Sequence, residues 1–294
     1  MELPIGVLGV YGAIAVWLGL LVSAWRSGSF KVFLWFGIGL LLFLNVRYLI
    51  EGAPAGIAFF IGIYDIPINL GLSVEESAAA VARCEGNACT VWGDRYLNHP
   101  AWGVAFYERF VTGSDFRSNL LYGHLAFNSI AFVLMHIQML KPGFGANAGF
   151  HSILGRLTFL SLTIGVGCAV WLASEHGSVG EYGGSLSTYG FYSMSAFVYV
   201  SAIMGVLAIR SGDHEKHRIW MFRFAGSMWG SFWLFRAMLL VLDPLLRNYE
   251  AAAIQICIWF SAPLGILIAE IIRRRIDAAK LVPGANAAKI QAAE

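Results

Sequence analysis

Seven histidines are the residues in this 294-residue chain best suited to chemistry, and they gather at two levels. His136, His151, His214 and His217 lie at or near one set of ends of the apolar stretches. His99, His124 and His176 lie at or near the opposite set. Imidazole is the ligand that suits iron, copper or haem, and a helical bundle builds such sites from side chains on facing helices. Histidines at two depths of a membrane are the layout that a transmembrane electron path requires.

Spacing sorts these histidines into sites. His124 and His136 are twelve residues apart on one apolar stretch, which in a helix separates them by about 18 Å along the axis and about 120° around it. They therefore face different neighbours, and Asn128, one turn from His124, is placed to support it. His136, near the end of its stretch, reads as an interfacial histidine. His151 opens the run His151-Ser-Ile-Leu-Gly155-Arg156, and His217 opens His217-Arg-Ile-Trp220-Met221-Phe-Arg223. Gly155 lies one turn beyond His151, where the missing side chain admits a flat cofactor or another helix. Arg223 and the deeper Arg236 lie within an apolar stretch that has no acid before Asp243. A buried guanidinium needs an anion, which haem carboxylates or a lipid phosphate would supply, although Arg223 is also placed to reach the inner headgroups.

Other chemistries are excluded by spacing. His214-Glu-Lys-His217 is one residue short of the HExxH zinc motif, so its imidazoles do not share a helical face. The histidines also do not form the repeated boxes of di-iron membrane hydroxylases. No Ser/His/Asp set, Walker loop or dinucleotide-binding glycine motif occurs, which leaves a membrane oxidoreductase or electron-transfer protein as the enzyme class in view.

Seven apolar stretches must position these residues: Val7 to Trp25, Val32 to Ile50, Leu120 to Leu140, Ile153 to Ala173, Tyr189 to Ile209, Ile219 to Leu242 and Ala251 to Ile272. Each approximates the roughly 20 residues that cross about 30 Å of hydrocarbon as a helix. With 58% hydrophobic and 13% charged residues, the chain reads as an all-α polytopic bundle in the lipid bilayer. No basic stripe with interleaved aromatics suggests nucleic acid. The N-terminus lacks the positive region of a cleavable signal, and Arg26 and Lys31 follow the first stretch. An N-outside, C-inside arrangement then puts thirteen Lys and Arg inside against six outside, and thirteen of the eighteen acids outside. This is the charge bias expected of loops on the cytoplasmic side, here of a bacterial inner membrane.

The organisation follows: residues 1–50 hold two helices, 51–118 an outer loop or lid, 119–275 a five-helix histidine-bearing bundle, and 276–294 a cytoplasmic tail. Ile57 to Leu72 is apolar but carries Asp65 and Pro67, so it reads as interfacial or re-entrant. Cys84 and Cys89 flank Gly86-Asn87 on the outer, oxidising side, and pair most simply as a disulfide. Cys168 and Cys257 fall in apolar stretches as packing residues. The aromatic second half of the loop offers contacts to a membrane protein partner.

The stretch from about His124 to Arg236 resembles a bacterial family of predicted membrane proteins, a domain of unknown function. The matching pieces are the His124 stretch ending at Gln138, then His151-x-x-x-Gly155-Arg156, Arg210-Ser-Gly212-Asp213, His217-x-x-Trp220-Met221-x-Arg223, and Arg236. The His-x-x-Trp-Met-x-Arg run is the most specific. The resemblance implies a fold region and no activity. By layout, a bundle with histidines at both faces is similar to the b-type cytochromes that carry electrons across membranes.

The leading expectation is a b-type haem or another His-ligated metal used for transmembrane electron transfer. His151 and His217 form the inner site, with Arg156 and Arg223 neutralising a bound anion. His124, with His176, forms an outer one near Arg236. A quinone or small reductant would be the electron donor. The alternative is a non-redox membrane subunit, assembly factor or small-molecule carrier with structural or proton-linked histidines.

Overall fold

The computed structural model describes residues 5–52, 83–85, 88–90, 114–140, 148–174, 185–246 and 250–280. The described chain is helical apart from one short hairpin. α1 (Ile5–Ser27) and α2 (Lys31–Glu51) come first, followed by β1 (Arg83–Glu85) and β2 (Ala88–Thr90). Then come α3 (Asp115–Leu140), α4 (Ala148–Ser174) and α5 (Ser185–Arg210). α6 (His214–Trp229) runs through a π-helical turn (Gly230–Leu234) into α7 (Phe235–Leu245), and α8 (Glu250–Lys280) closes the described chain.

Five segments among the described residues are long and apolar enough to cross a membrane: Asp115–Leu140, Gly149–Ser174, Ser185–Arg210, His214–Leu242 and Ala252–Ala278. The sixth expected stretch, Ile219 to Leu242, thus begins earlier, at His214. α1 and α2 span 23 and 21 residues, about 34 and 31 Å at the helical rise. On α4, Ile153, Leu157, Leu160, Ile164 and Trp171 all point outward and exposed. Their spacing of three, four and seven residues makes one continuous apolar stripe, which water would not tolerate and lipid solvates. The chain is therefore a multi-pass membrane protein.

The turn between α5 and α6 is encoded locally. Gly212 takes φ +77°, a conformation that an L side chain resists. The Asp213 N–H donates back to the Ala208 carbonyl, closing α5 in the manner of a Schellman motif. The Asp213 side chain then accepts from the Lys216 N–H at 2.8 Å and caps α6. Three residues thus reverse the chain and lay α6 against α5, with His217 in the first turn.

α6 and α8 approach until their backbones touch. Gly226 and Gly230 are four apart on α6 and its π turn, and face Ser261, Ala262, Gly265 and Ala269 of α8. A Cβ at Gly226 would lie 2.5 Å from the Gly265 carbonyl oxygen. Small residues at this spacing permit the dispersion contacts that hold membrane helices together, because apolar burial brings little advantage inside lipid.

The ends of the helices agree on one side. Arg275 of α8 donates to the Trp25 carbonyl at the end of α1, and its guanidinium lies over the Trp25 ring. Arg218 of α6 pairs with Glu215 and with Asp277 of α8. Arg273 bridges Glu270 and Asp277. The C-terminal ends of α1 and α8 and the N-terminal end of α6 therefore share one end of the bundle, as the charge bias requires.

The core is aromatic. Trp17, Phe33, Phe132, Trp229 and Trp233 are among its largest fully buried side chains, joined by Met135, Met228 and His136. The expected loop or lid, including Ile57 to Leu72, and the cytoplasmic tail beyond Lys280 fall almost wholly outside the described residues.

Candidate functional site

The inner histidines are brought together in part. His217 sits in the first turn of α6, and its Nδ1 lies 2.8 Å from the Gly205 carbonyl oxygen of α5. A carbonyl only accepts, so Nδ1 carries the proton and donates. In the neutral ring Nε2 then bears the lone pair, the arrangement that metal-ligating histidines adopt when a carbonyl orients the ring. His151, in the first turn of α4, lies near enough to His217 for the two rings to interact electrostatically. Arg156, five residues further along α4, is exposed at the same end.

Two details of this end add to the sequence reading. The space beside Gly155 is taken by a helix neighbour: a Cβ there would lie 3.5 Å from Oε1 of Gln138. Gln138 is held in place by donating to Thr158 Oγ1 at 2.9 Å, so this face of α4 lies against α3. Arg223 has a protein anion within reach, with Nε 3.8 Å from Glu270 of α8, and it lies over the Trp220 ring at 4.6 Å. The carboxylate was not foreseeable from α6 alone, because it comes from 47 residues away on another helix.

The outer histidine, His124, is fixed against α4. Its Nδ1 lies 3.2 Å from the Gly165 carbonyl oxygen and 2.9 Å from the Asn128 side-chain amide. Gly165 makes this possible, since a Cβ there would fall 2.6 Å from Asn128 Oδ1. Asn128 therefore supports His124 as its position one turn away suggests. Arg236 is close enough to His124 to interact electrostatically. It donates to the Phe232 carbonyl at 2.7 Å, so a backbone oxygen of its own helix meets part of its need for an acceptor. His176, the expected partner of His124, lies outside the described residues, as does His99.

His136 departs furthest from expectation. It is no interfacial residue: its exposure is 0%, and it sits inside the aromatic core. Its Nδ1 donates to the Phe132 carbonyl at 2.8 Å, and its Nε2 accepts from the Trp229 indole N–H at 3.2 Å. Both nitrogens are used, so the ring is neutral and is not a free metal ligand. The π turn lies beside this contact: the Phe235 N–H reaches back five residues to Gly230. Trp229 and Trp233, which flank and occupy the turn, both point into the core. A π turn in a membrane helix often marks a functional position. The sequence held one signal for this cluster, the Trp229/Trp233 pair four residues apart, which places both indoles on one helical face.

Among the described residues, no group of three or more His, Cys, Asp or Glu is arranged to hold a metal ion. In the hairpin, Cys84 of β1 is the register partner of Cys89 of β2. Cys168 and Cys257 are in no disulfide, and Cys257 is buried.

A family model described as a predicted membrane protein, DUF2306, matches residues 121–273. That range runs from the second turn of α3 almost to the end of α8 and contains His124, His136, His151 and His217, whereas α1 and α2 precede it. No curated protein and no solved structure matches the chain.

Proposed function

The chain belongs to the DUF2306 family of predicted membrane proteins, and on that footing we propose that it is an electron-transfer protein of the bacterial inner membrane. His151 and His217 would hold a b-type haem or a single metal ion at its inner end. The observation that carries this reading is the His217 ring, whose Nδ1–H is committed to the Gly205 carbonyl so that Nε2 of the neutral ring can ligate, with His151 opening α4 at the same end of the bundle. Arg156, exposed at that end, is the cation placed for an anionic substituent. Arg223, engaged with Glu270, is the weaker candidate. A bound haem would supply one-electron chemistry. These residues would orient it and balance its charge, and a quinone or small organic reductant would be the electron source. His124 with Arg236 would mark the outer end of the path, with His176 as the partner imidazole.

The ion network of Arg218, Arg223, Arg273, Arg274, Glu215, Glu270 and Asp277 favours a second reading. If these charges only lock α6 to α8, the protein is a non-redox membrane subunit, an assembly factor or a small-molecule carrier. In that reading the outer loop contacts a membrane protein partner.

Purified in detergent, the wild-type protein should carry a chromophore or stoichiometric metal. His151→Ala and His217→Ala should each lose it, and His214→Ala should retain it. Equal haem and metal content in all four proteins would remove the inner site and leave the non-redox reading.

A further inference from the structure

Two tryptophan N–H groups in the aromatic core have no protein acceptor. Nε1 of Trp17 on α1 and Nε1 of Trp233 in the π turn are both buried and unpartnered, each in a residue only 1% exposed. An indole N–H can only donate, and leaving one unsatisfied at this depth is costly. Both lie beside Gly37 of α2. A Cβ built on Gly37 of α2 would lie 3.4 Å from Trp17 Nε1, 3.5 Å from His136 Nε2 and 3.8 Å from Trp233 Nε1. Three ring nitrogens from three helices thus surround a point that glycine leaves unfilled.

Hydrogen-bond capacity fixes what fits there. The guest must accept two hydrogen bonds, from Trp17 and Trp233. The nitrogen beside it, His136 Nε2, has one lone pair, which already accepts from the Trp229 N–H at 3.2 Å, so it borders the guest without being its partner. The surrounding groups, Trp17, Phe33, Phe132, neutral His136, Trp229 and Trp233, carry no formal charge, which disfavours an anion. A methyl group on residue 37 would already be in ordinary contact with all three nitrogens, so a guest beside Gly37 must be small.

We propose that Trp17, Gly37, His136 and Trp233 form a binding site for one buried water molecule in the membrane core. The water accepts from both indoles, and two hydrogen bonds lie within the range of roughly two to four that buried waters make. The site joins α1 and α2, which precede the family-matched segment, to α3 and the π turn within it. It stands independently of the inner histidine site.

The test uses the full chain in lipid nanodiscs, labelled with ¹⁵N at the tryptophan indoles and examined by solid-state NMR with magnetisation transferred from water. Trp17→Phe and Trp233→Phe identify the two signals. Both indole protons should show water transfer peaks, and Gly37→Ala should abolish the pair together while other indole signals stay in place. Gly37→Ser is the second variant: its hydroxyl should replace the guest oxygen, removing the water peaks while both protons remain shifted downfield. The absence of water transfer at both indoles in the wild-type protein would overturn the proposal, whether the protons resonate as unbonded or as bonded to some other acceptor. Unchanged water peaks in Gly37→Ala would overturn it as well.

Discussion

The His136 imidazole and the Trp229 indole are hydrogen-bonded at 3.2 Å across 93 residues of sequence. The bond ties α3 to α6 in the middle of the bundle. His136 is held from the other side by the Phe132 carbonyl, one turn before it on the same helix, so the ring has one tautomer and one orientation. Phe132 and Trp233 meet edge to face beside it, with ring centroids 6.1 Å apart.

Removing either partner should be expensive. Trp229→Phe leaves His136 Nε2 without the Trp229 donor at zero exposure, a loss on the order of 1–3 kcal/mol. His136→Ala adds a cavity to the lost bond and should cost roughly 2–5 kcal/mol. Thermal unfolding in detergent should rank the proteins as wild type, then Trp229→Phe, then His136→Ala. Identical midpoints would show that the bond contributes nothing.

Gly226 should tolerate no side chain, because its Cβ would run into the backbone of Gly265. Overpacking of this kind costs about 1–3 kcal/mol even where neighbours can shift, and here the obstacle is backbone. Gly39 on α2 meets nothing within 4 Å. Gly226→Ala should therefore sharply reduce the yield of folded protein, whereas Gly39→Ala should leave it unchanged. Equal yields would contradict the close α6/α8 contact.

These two regions show what the sequence discloses and what it hides. The crossing helices were legible as long apolar runs, because lipid demands about 20 apolar residues wherever a helix crosses. The reversal at Gly212-Asp213 was less visible: α6 begins five residues before the apolar run, because the cap rather than hydropathy decides the helix start. His124 with Asn128 was legible from one-turn spacing. His136 is fully buried although it lies near a helix end, because nearness to a helix end is not nearness to the surface. Its burial comes from α1, α2 and α6 closing around it, and such long-range packing leaves no local mark. The carboxylate beside Arg223 was illegible for the same reason, since Glu270 lies on α8.

Side of the membrane gives a third prediction. Arg275 bound to the Trp25 carbonyl fixes the ends of α1 and α8 together, and the charge bias puts that end inside. Single cysteines at Ser27 and Asp277, in a background with the native cysteines replaced, should be protected from an impermeant maleimide in intact cells. A cysteine at Ser114, before α3, should react. Labelling at Ser27 with protection at Ser114 would invert the topology.

The hairpin register gives a fourth. Directly opposed residues in antiparallel strands have Cα atoms about 4.5–5.5 Å apart, within the roughly 4.4–6.8 Å that a disulfide spans. Cys84 and Cys89 are such a pair, so mass analysis of non-reduced protein should find the two linked. Full alkylation of both without reductant would remove the disulfide and weaken the assignment of this loop to an oxidising compartment.

The most direct measurement of the redox reading is a dithionite-reduced minus oxidised optical spectrum, with metal analysis, on wild-type protein purified from membranes of cells supplied with haem precursor and iron. A His151/His217 site predicts either a Soret band with sharpened visible bands on reduction or one equivalent of a redox metal per chain. A colourless protein with no bound metal would contradict it.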